Sequence, residues 1–505
     1  MYLSLAIAWT LTSLTIAGSS NPPPPPPPPL HHGSNKPNII MIMTDDQDRL
    51  LGSTDYQKSL HREFFDKGVE SVNHYITVAQ CCPSRTAFLR GQHAHNTNVT
   101  HVRSPGGNYQ KFWLSGESND YLATWMQKAG YNIGQLPRES PTSILMTKCS
   151  TANFSDMAFR RRVQGLQGVD DIIDDLFETL ETRNALDNTY IIYTADNGYH
   201  IGNFRLPPGK CLPYAEDTNV PFAVRGPGIP SGIKSQQPSS HIDLAATFID
   251  ITGSPKRDIP PFLDGRSLLS EWKSANKPSK NKDTGLASGT EIINVEYWGM
   301  ASIEAPYDFR FVPGSTYKTL RIVSSRFSFL YIVWCTNQVE FYNTKKDNFE
   351  IQNLVNSTDP YYKRVMSRLN AVILVTKSCE QDSCRDPWLA LQPAKGYKQI
   401  TNLDQAMDQS LDGWFASFPK VHFSKCTDYQ IASAEVPFWP ASAQYGLGQA
   451  YRNSTDYYYS PEDQNQYVKG TNRTGTEAQR YATIKDLNKV AIPLTREQLG
   501  KDLIK

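Results

Sequence analysis

Two apolar runs that end abruptly in carboxylates organise this chain. Asn38-Ile39-Ile40-Met41-Ile42-Met43-Thr44 is followed at once by Asp45-Asp46 and, one residue later, Asp48. Tyr190-Ile191-Ile192-Tyr193-Thr194-Ala195 is followed by Asp196-Asn197-Gly198. Continuous apolar runs of this length, rich in isoleucine and aromatic residues, predict strands buried on both faces. Ahead of the second run the period changes. Val163, Leu166, Val169, Ile173, Leu176 and Leu180 recur at helical spacing, which predicts a helix from about Met157 to Thr182 with one apolar face turned to the core. Shorter helices are predicted over Leu60–Asp66 and Tyr121–Lys128, the second stopped by Gly130. From Glu291 to Tyr342 the pattern becomes strand-rich, most clearly in Phe327–Trp334. Alternating strands and helices predict an α/β fold with helices layered on a mostly parallel sheet. In open α/β sheets ligands bind outside the carboxyl ends of the strands, which is where Asp45, Asp46, Asp196 and Asn197 fall.

Length and charge narrow the picture without naming a function. A chain of 505 residues can form two domains, or one large α/β domain with a smaller appendage. Its formal net charge of +1 gives no argument for nucleic acid or an anionic membrane surface. Residues 1–19 carry an apolar stretch from Leu3 to Ala17 ending in small residues, as a secretory signal peptide does, and Pro22–Pro29 opens a proline-rich linker reaching residue 35. No later run is long and apolar enough to span a bilayer. Secretion fits the acceptors for N-glycosylation at Asn98, Asn153, Asn356, Asn453 and Asn472. It also fits disulfides among the eight cysteines, of which the close pair Cys379 and Cys384 is the best candidate. Residues 434–505 are polar and tyrosine-rich and carry no legible chemistry.

Two strand ends that each supply a pair of hard oxygen ligands suit Ca²⁺ or Mg²⁺. Taken singly, each pair also fits a solvated acidic turn, and Asp-Asn-Gly is an ordinary turn sequence. Between them lies Cys81-Cys82-Pro83-Ser84-Arg85, which in isolation reads as a buried or disulfide-bonded cysteine pair.

Together these motifs resemble the sulfatase family. Cys81, Pro83, Ser84 and Arg85 match its CxPSR signature, and Val220-Pro221-Phe222, His241-Ile242-Asp243, Asp264-Gly265-Arg266 and Val295-Glu296-Tyr297-Trp298-Gly299 follow in the family's order. The resemblance covers roughly residues 36–430 and points to the secreted fungal-type arylsulfatase and N-acetylglucosamine-6-sulfatase branch. It implies an alkaline phosphatase-like mixed sheet sandwiched by helices over residues 36–290 and an antiparallel-sheet subdomain over 291–433. It implies that a formylglycine-generating enzyme oxidises Cys81 to formylglycine, whose hydrated diol takes up sulfate on one hydroxyl and expels it through the other. Calcium, in preference to magnesium, would be held by Asp45, Asp46, Asp196, Asn197 and residue 81. Lys210 would meet a sulfate oxygen, His200 would bond the diol or protonate the leaving oxygen, and Arg85 would position the modified residue and the carboxylates. The substrate would be a small aryl sulfate or sulfated sugar.

One departure stands out. After Gly134 relatives continue into a lysine-bearing segment, a further strand and a histidine that touches sulfate. Here Gln135-Leu136-Pro137-Arg138 leads almost directly to the long helix. Either coding sequence has been skipped or the chain is a degenerate paralogue, and the intact flanks favour the first. Three functional expectations follow: a sulfuric ester hydrolase, an impaired homologue that binds sulfated ligands, or a phosphate or phosphonate hydrolase of the same superfamily.

Overall fold

The structure is a computed structural model that describes residues 36–134, 151–255, 258–277, 290–305, 308–393, 399–431 and 435. Its first sheet comprises β1 (Asn38–Thr44), β2 (Val69–Ser71), β4 (Thr189–Ala195), β6 (Phe222–Arg225) and β7 (Ile233–Ser235), in the order β1-β4-β6-β2-β7. β1 and β4 are parallel, as are β2 and β7, but β6 runs antiparallel to both of its neighbours, so the sheet is mixed. Alternation along β4 turns its residues to opposite faces. Ile191 and Tyr193 meet Leu60, Phe64, Ile173, Phe177 and Leu180 on one side. Tyr190 and Ile192 meet Phe88, Leu244 and Phe248 on the other. Each fully buried isoleucine or phenylalanine stabilises the layer by roughly 1.5–3 kcal/mol.

The long helix spans Thr151–Thr182, starting earlier than its apolar stripe, and the Tyr121 reading becomes Leu122–Lys128 with Tyr121 as cap. Over Leu60–Asp66 the structure has a short helix, Lys58–Leu60, running into a π-helical turn, His61–Phe65. β4 is buried throughout, as expected, whereas β1 corrects the expectation. It is an edge strand whose residues are mostly half-buried, because no described strand pairs with its outer side.

A two-stranded pairing joins β3 (His74–Tyr75) to β8 (Ser239–Ser240). A four-stranded antiparallel sheet follows, ordered β14-β13-β12-β9, from β9 (Ile292–Tyr297), β12 (Tyr317–Val323), β13 (Ser328–Trp334) and β14 (Val339–Tyr342). The helix Pro360–Thr376 packs on it through Val365, Leu369, Val372 and Ile373. A three-stranded sheet, β11-β10-β5, matters most for the site. It pairs β10 (Ala301–Ala305) with β11 (Asp308–Val312) and with the two-residue β5 (Gly209–Lys210). No helix among the described residues is long and apolar enough to cross a membrane.

Candidate active site and metal centre

Cys81 is the first residue of a ten-residue helix, Cys81–Arg90, preceded by an extended Gln80. Pro83 falls in the first turn, where its missing N–H is harmless because first-turn donors lack helical acceptors. The helix therefore presents its partly positive amino end at residue 81, a place that favours an anion. It stops at Gly91, whose φ of 61° suits glycine and where a Cβ would lie 2.8 Å from Leu263.

Parallel pairing brings the two acidic strand ends together. Thr44 stands opposite Ala195, so Asp45 and Asp196 emerge side by side, and the Asp46 N–H donates to Asp196 Oδ1 at 3.3 Å. Arg85 donates from Nε to Asp196 Oδ2 and from Nη2 to Asp45 Oδ2, both at 2.8 Å. Ser84 Oγ donates to the Asp196 carbonyl at 2.5 Å, tying the helix to the end of β4. Lys210, placed by β5, donates from Nζ to Asp46 Oδ1 at 2.7 Å and lies 3.1 Å from Cys81 Sγ. The Cys81 thiol in turn donates to Asp45 Oδ1 at 3.4 Å. Residues distant in sequence thus converge on one sulfur.

The electrostatics suit a cation. Burial pushes the Asp196 carboxyl up to about 6, with the Asp45 charge adding to it, and burial raises Asp46 against the pull of Lys210. Burial, reinforced by Asp196, also raises the Cys81 thiol, so the unmodified residue is a poor thiolate. Oxygens of Asp45, Asp46 and Asp196 and the Cys81 sulfur all lie within 4.8 Å of one another. Asn197 donates its amide to Asp46 Oδ1 at 2.6 Å, while its own Oδ1 is buried and accepts no hydrogen bond. Three carboxylates and an orphaned amide oxygen form the donor set that a hard divalent cation takes.

His200 is anchored beside the loop that carries Lys210. Its Nδ1 pairs with Asp217 Oδ1 at 2.7 Å and its ring also hydrogen-bonds the Pro207 carbonyl. Burial opposes its charge, but Asp217 outweighs burial and raises the pKa. Two backbone hydrogen bonds between His200 and Gly209, at 3.1 and 3.0 Å, close the loop that delivers Lys210. The chain reversal brings ring and loop carbonyl together, and spacing alone does not reveal that.

The model of the family described as Sulfatase matches residues 37–141 and 141–254. Over residues 37–254 the chain thus resembles sulfatases. An arylsulfatase of Volvox carteri is 26% identical over 556 aligned residues, covering 79% of this chain and 83% of that protein. Human N-acetylglucosamine-6-sulfatase is 26% identical, covering 70% of this chain and 87% of its own. A structure solved in complex with its substrate, D-glucosamine-2-N,6-O-disulfate, is 16% identical, covers 68% of this chain and 97% of that one, and has a TM-score of 0.47. The sulfatase match divides at residue 141, beside the departure after Gly134. The alignment with the Volvox arylsulfatase is also longer than this whole chain, so that relative carries segments with no counterpart here.

Around the site, sequence reading missed Asp217, which also accepts from the Leu212 N–H at 2.8 Å, and Gln80, which holds Val102 N–H at 3.1 Å. Acidic residues just ahead of the Val220-Pro221-Phe222 phrase were the available signal for Asp217. Cys379 and Cys384 are joined as expected, and a second disulfide, Cys335–Cys426, was not foreseen. Asn98 is buried, at 2% exposure. Asn356 is exposed, while the Asn153 side chain, Asn453, Asn472, the signal and linker segments and all of the tail except Glu435 lie outside the described residues.

Proposed function

We propose that this chain is a secreted sulfuric ester hydrolase of the arylsulfatase type, acting through formylglycine made from Cys81 and assisted by calcium. The observation that carries the reading is the convergence of Lys210, Arg85 and three carboxylates on residue 81 at a helix amino end. The relatives named arylsulfatase and N-acetylglucosamine-6-sulfatase support the reaction class.

An oxidised residue 81 supplies an oxygen nucleophile that can take up sulfate and then release it. A divalent cation held by Asp45, Asp46, Asp196 and Asn197 supplies positive charge to the sulfate oxygens. Lys210 adds a second positive charge where charge builds in the transition state, and its pairing with Asp46 holds it protonated despite burial. Arg85 hydrogen-bonds both Asp45 and Asp196 and so holds the two carboxylates in alignment. His200 and Asp217 fix the loop that positions Lys210.

A second reading, an impaired homologue that binds sulfated ligands, draws on the departure beside residue 141. Hydrolysis of 4-nitrophenyl sulfate by the secreted protein, with and without a chelator, separates the two. Chelator-sensitive release of nitrophenol supports the hydrolase, and sulfate-ester binding without release supports the homologue.

A further inference from the structure

Glu304 is a carboxylate at this site that neither the proposed chemistry nor the cation shell uses. β10 runs antiparallel beside β5 with Ser302 opposite Lys210 and Ile303 opposite Gly209, and the Glu304 N–H donates to the Pro208 carbonyl at 2.8 Å. Side chains alternate along a strand, so Glu304 shares one face of the pair with Ser302 and Lys210. That is the face from which Lys210 reaches Asp46 and Cys81. The side chain is half-buried, the Tyr199 hydroxyl hydrogen-bonds its carboxylate, and the charges of Lys210, Asp46 and Asp45 act on it.

A carboxylate beside an anion pocket repels sulfate, and a hydrogen-bond donor on another part of the ligand offsets that repulsion. Tyr199 takes one of several acceptor positions on the two oxygens, leaving others for donors. Sulfate has no such donor at neutral pH, and neither does a simple aryl group. The alcohol of a sulfated sugar has several, in its hydroxyl or ammonium groups.

Resting on the sulfate-ester reading above, we propose that Glu304 is a specificity residue that accepts hydrogen bonds from hydroxyl or ammonium groups of the leaving alcohol. The site then favours sulfated sugars over simple aryl sulfates, because only the sugars offset the carboxylate's repulsion of sulfate.

The test is calorimetric binding to full-length secreted protein carrying Cys81→Ala, which prevents turnover, with and without Glu304→Gln, in the presence of calcium. The probes are glucosamine 6-sulfate, galactose 6-sulfate and 4-nitrophenyl sulfate. Loss of a charge-assisted hydrogen bond weakens both sugar sulfates by about tenfold or more while 4-nitrophenyl sulfate holds or gains affinity. A larger loss for glucosamine 6-sulfate than for galactose 6-sulfate assigns the contact to the ammonium, and equal losses assign it to hydroxyls. Unchanged sugar affinity, or equal weakening of all three probes, overturns the role of Glu304 alone. Failure of all three to bind the Cys81→Ala protein overturns the sulfate-ester reading with it. An unchanged melting temperature for Glu304→Gln shows that the effect is local.

Discussion

The Lys210 ammonium stands 3.1 Å from the Cys81 sulfur, although 129 positions separate them in the chain. β5 carries the lysine, the Cys81–Arg90 helix carries the cysteine, and Asp46 holds the ammonium at 2.7 Å from the other side. A positive charge fixed at this distance acts on whatever forms at residue 81. Lys210→Ala therefore lowers kcat for 4-nitrophenyl sulfate by roughly two to three orders of magnitude, the range for losing one transition-state charge contact. Steady-state kinetics at saturating substrate check this, and an unchanged kcat would remove Lys210 from the chemistry.

The orphaned oxygen of Asn197 predicts a cation effect on stability. Calcium at about one hundred times its Kd stabilises the folded protein by about 2.7 kcal/mol if it binds only the native state. Thermal unfolding with added calcium shows a raised melting temperature that Asn197→Ala diminishes or abolishes. An equal rise in both proteins would place the cation elsewhere.

His200 and Asp217 predict a pH effect with a definite sign. Burial alone would depress the His200 pKa, and the Asp217 charge raises it instead. The stability this pair contributes is present below the unfolded histidine value of about 6.5 and is lost as pH rises through the higher folded value. In Asp217→Asn burial prevails and the folded pKa falls. The pair predicts that kcat of the parent declines as pH rises through the folded His200 value and that Asp217→Asn, which lacks the pair, loses this decline. An identical profile would show that the pair does not govern the Lys210 loop.

Glu296 predicts a large structural effect away from the chemistry. Fully buried, it meets His95 Nδ1 at 2.8 Å and Lys318 Nζ at 2.7 Å, and these two partners overcome burial to depress its carboxyl. Glu296→Gln leaves the buried Lys318 charge with only the more distant Glu435 carboxylate, at 3.4 Å, and costs roughly 3–5 kcal/mol, read from the urea midpoint. The carboxylate's contribution is present above the ordinary glutamate range and is lost only as pH falls through the depressed folded value.

Much of this was legible in the sequence because strands and their carboxyl ends are local signals. The runs ending at Asp45 and Asp196 gave β1 and β4, and the helical spacing from Val163 to Leu180 gave the long helix. What escaped depends on contacts between distant segments. His200 looked free because Asp217 and Pro207 reach it only once the loop has folded back. Glu304 was invisible because only the β5–β10 register sets it beside Lys210. Glu296 was visible as part of the Val295–Gly299 phrase, but its ion partners Lys318 and His95 come from β12 and from the segment after the Cys81–Arg90 helix.

Chemistry at residue 81 separates an enzyme from a binding homologue, and one measurement addresses it directly. Protein secreted from a eukaryotic host is analysed by peptide mass for formylglycine at position 81, and the same preparation is assayed on 4-nitrophenyl sulfate beside Cys81→Ala. The expected result is the modified residue, chelator-sensitive turnover, and loss of turnover in the variant. Folded, fully modified protein without turnover, or turnover that survives Cys81→Ala, would contradict it.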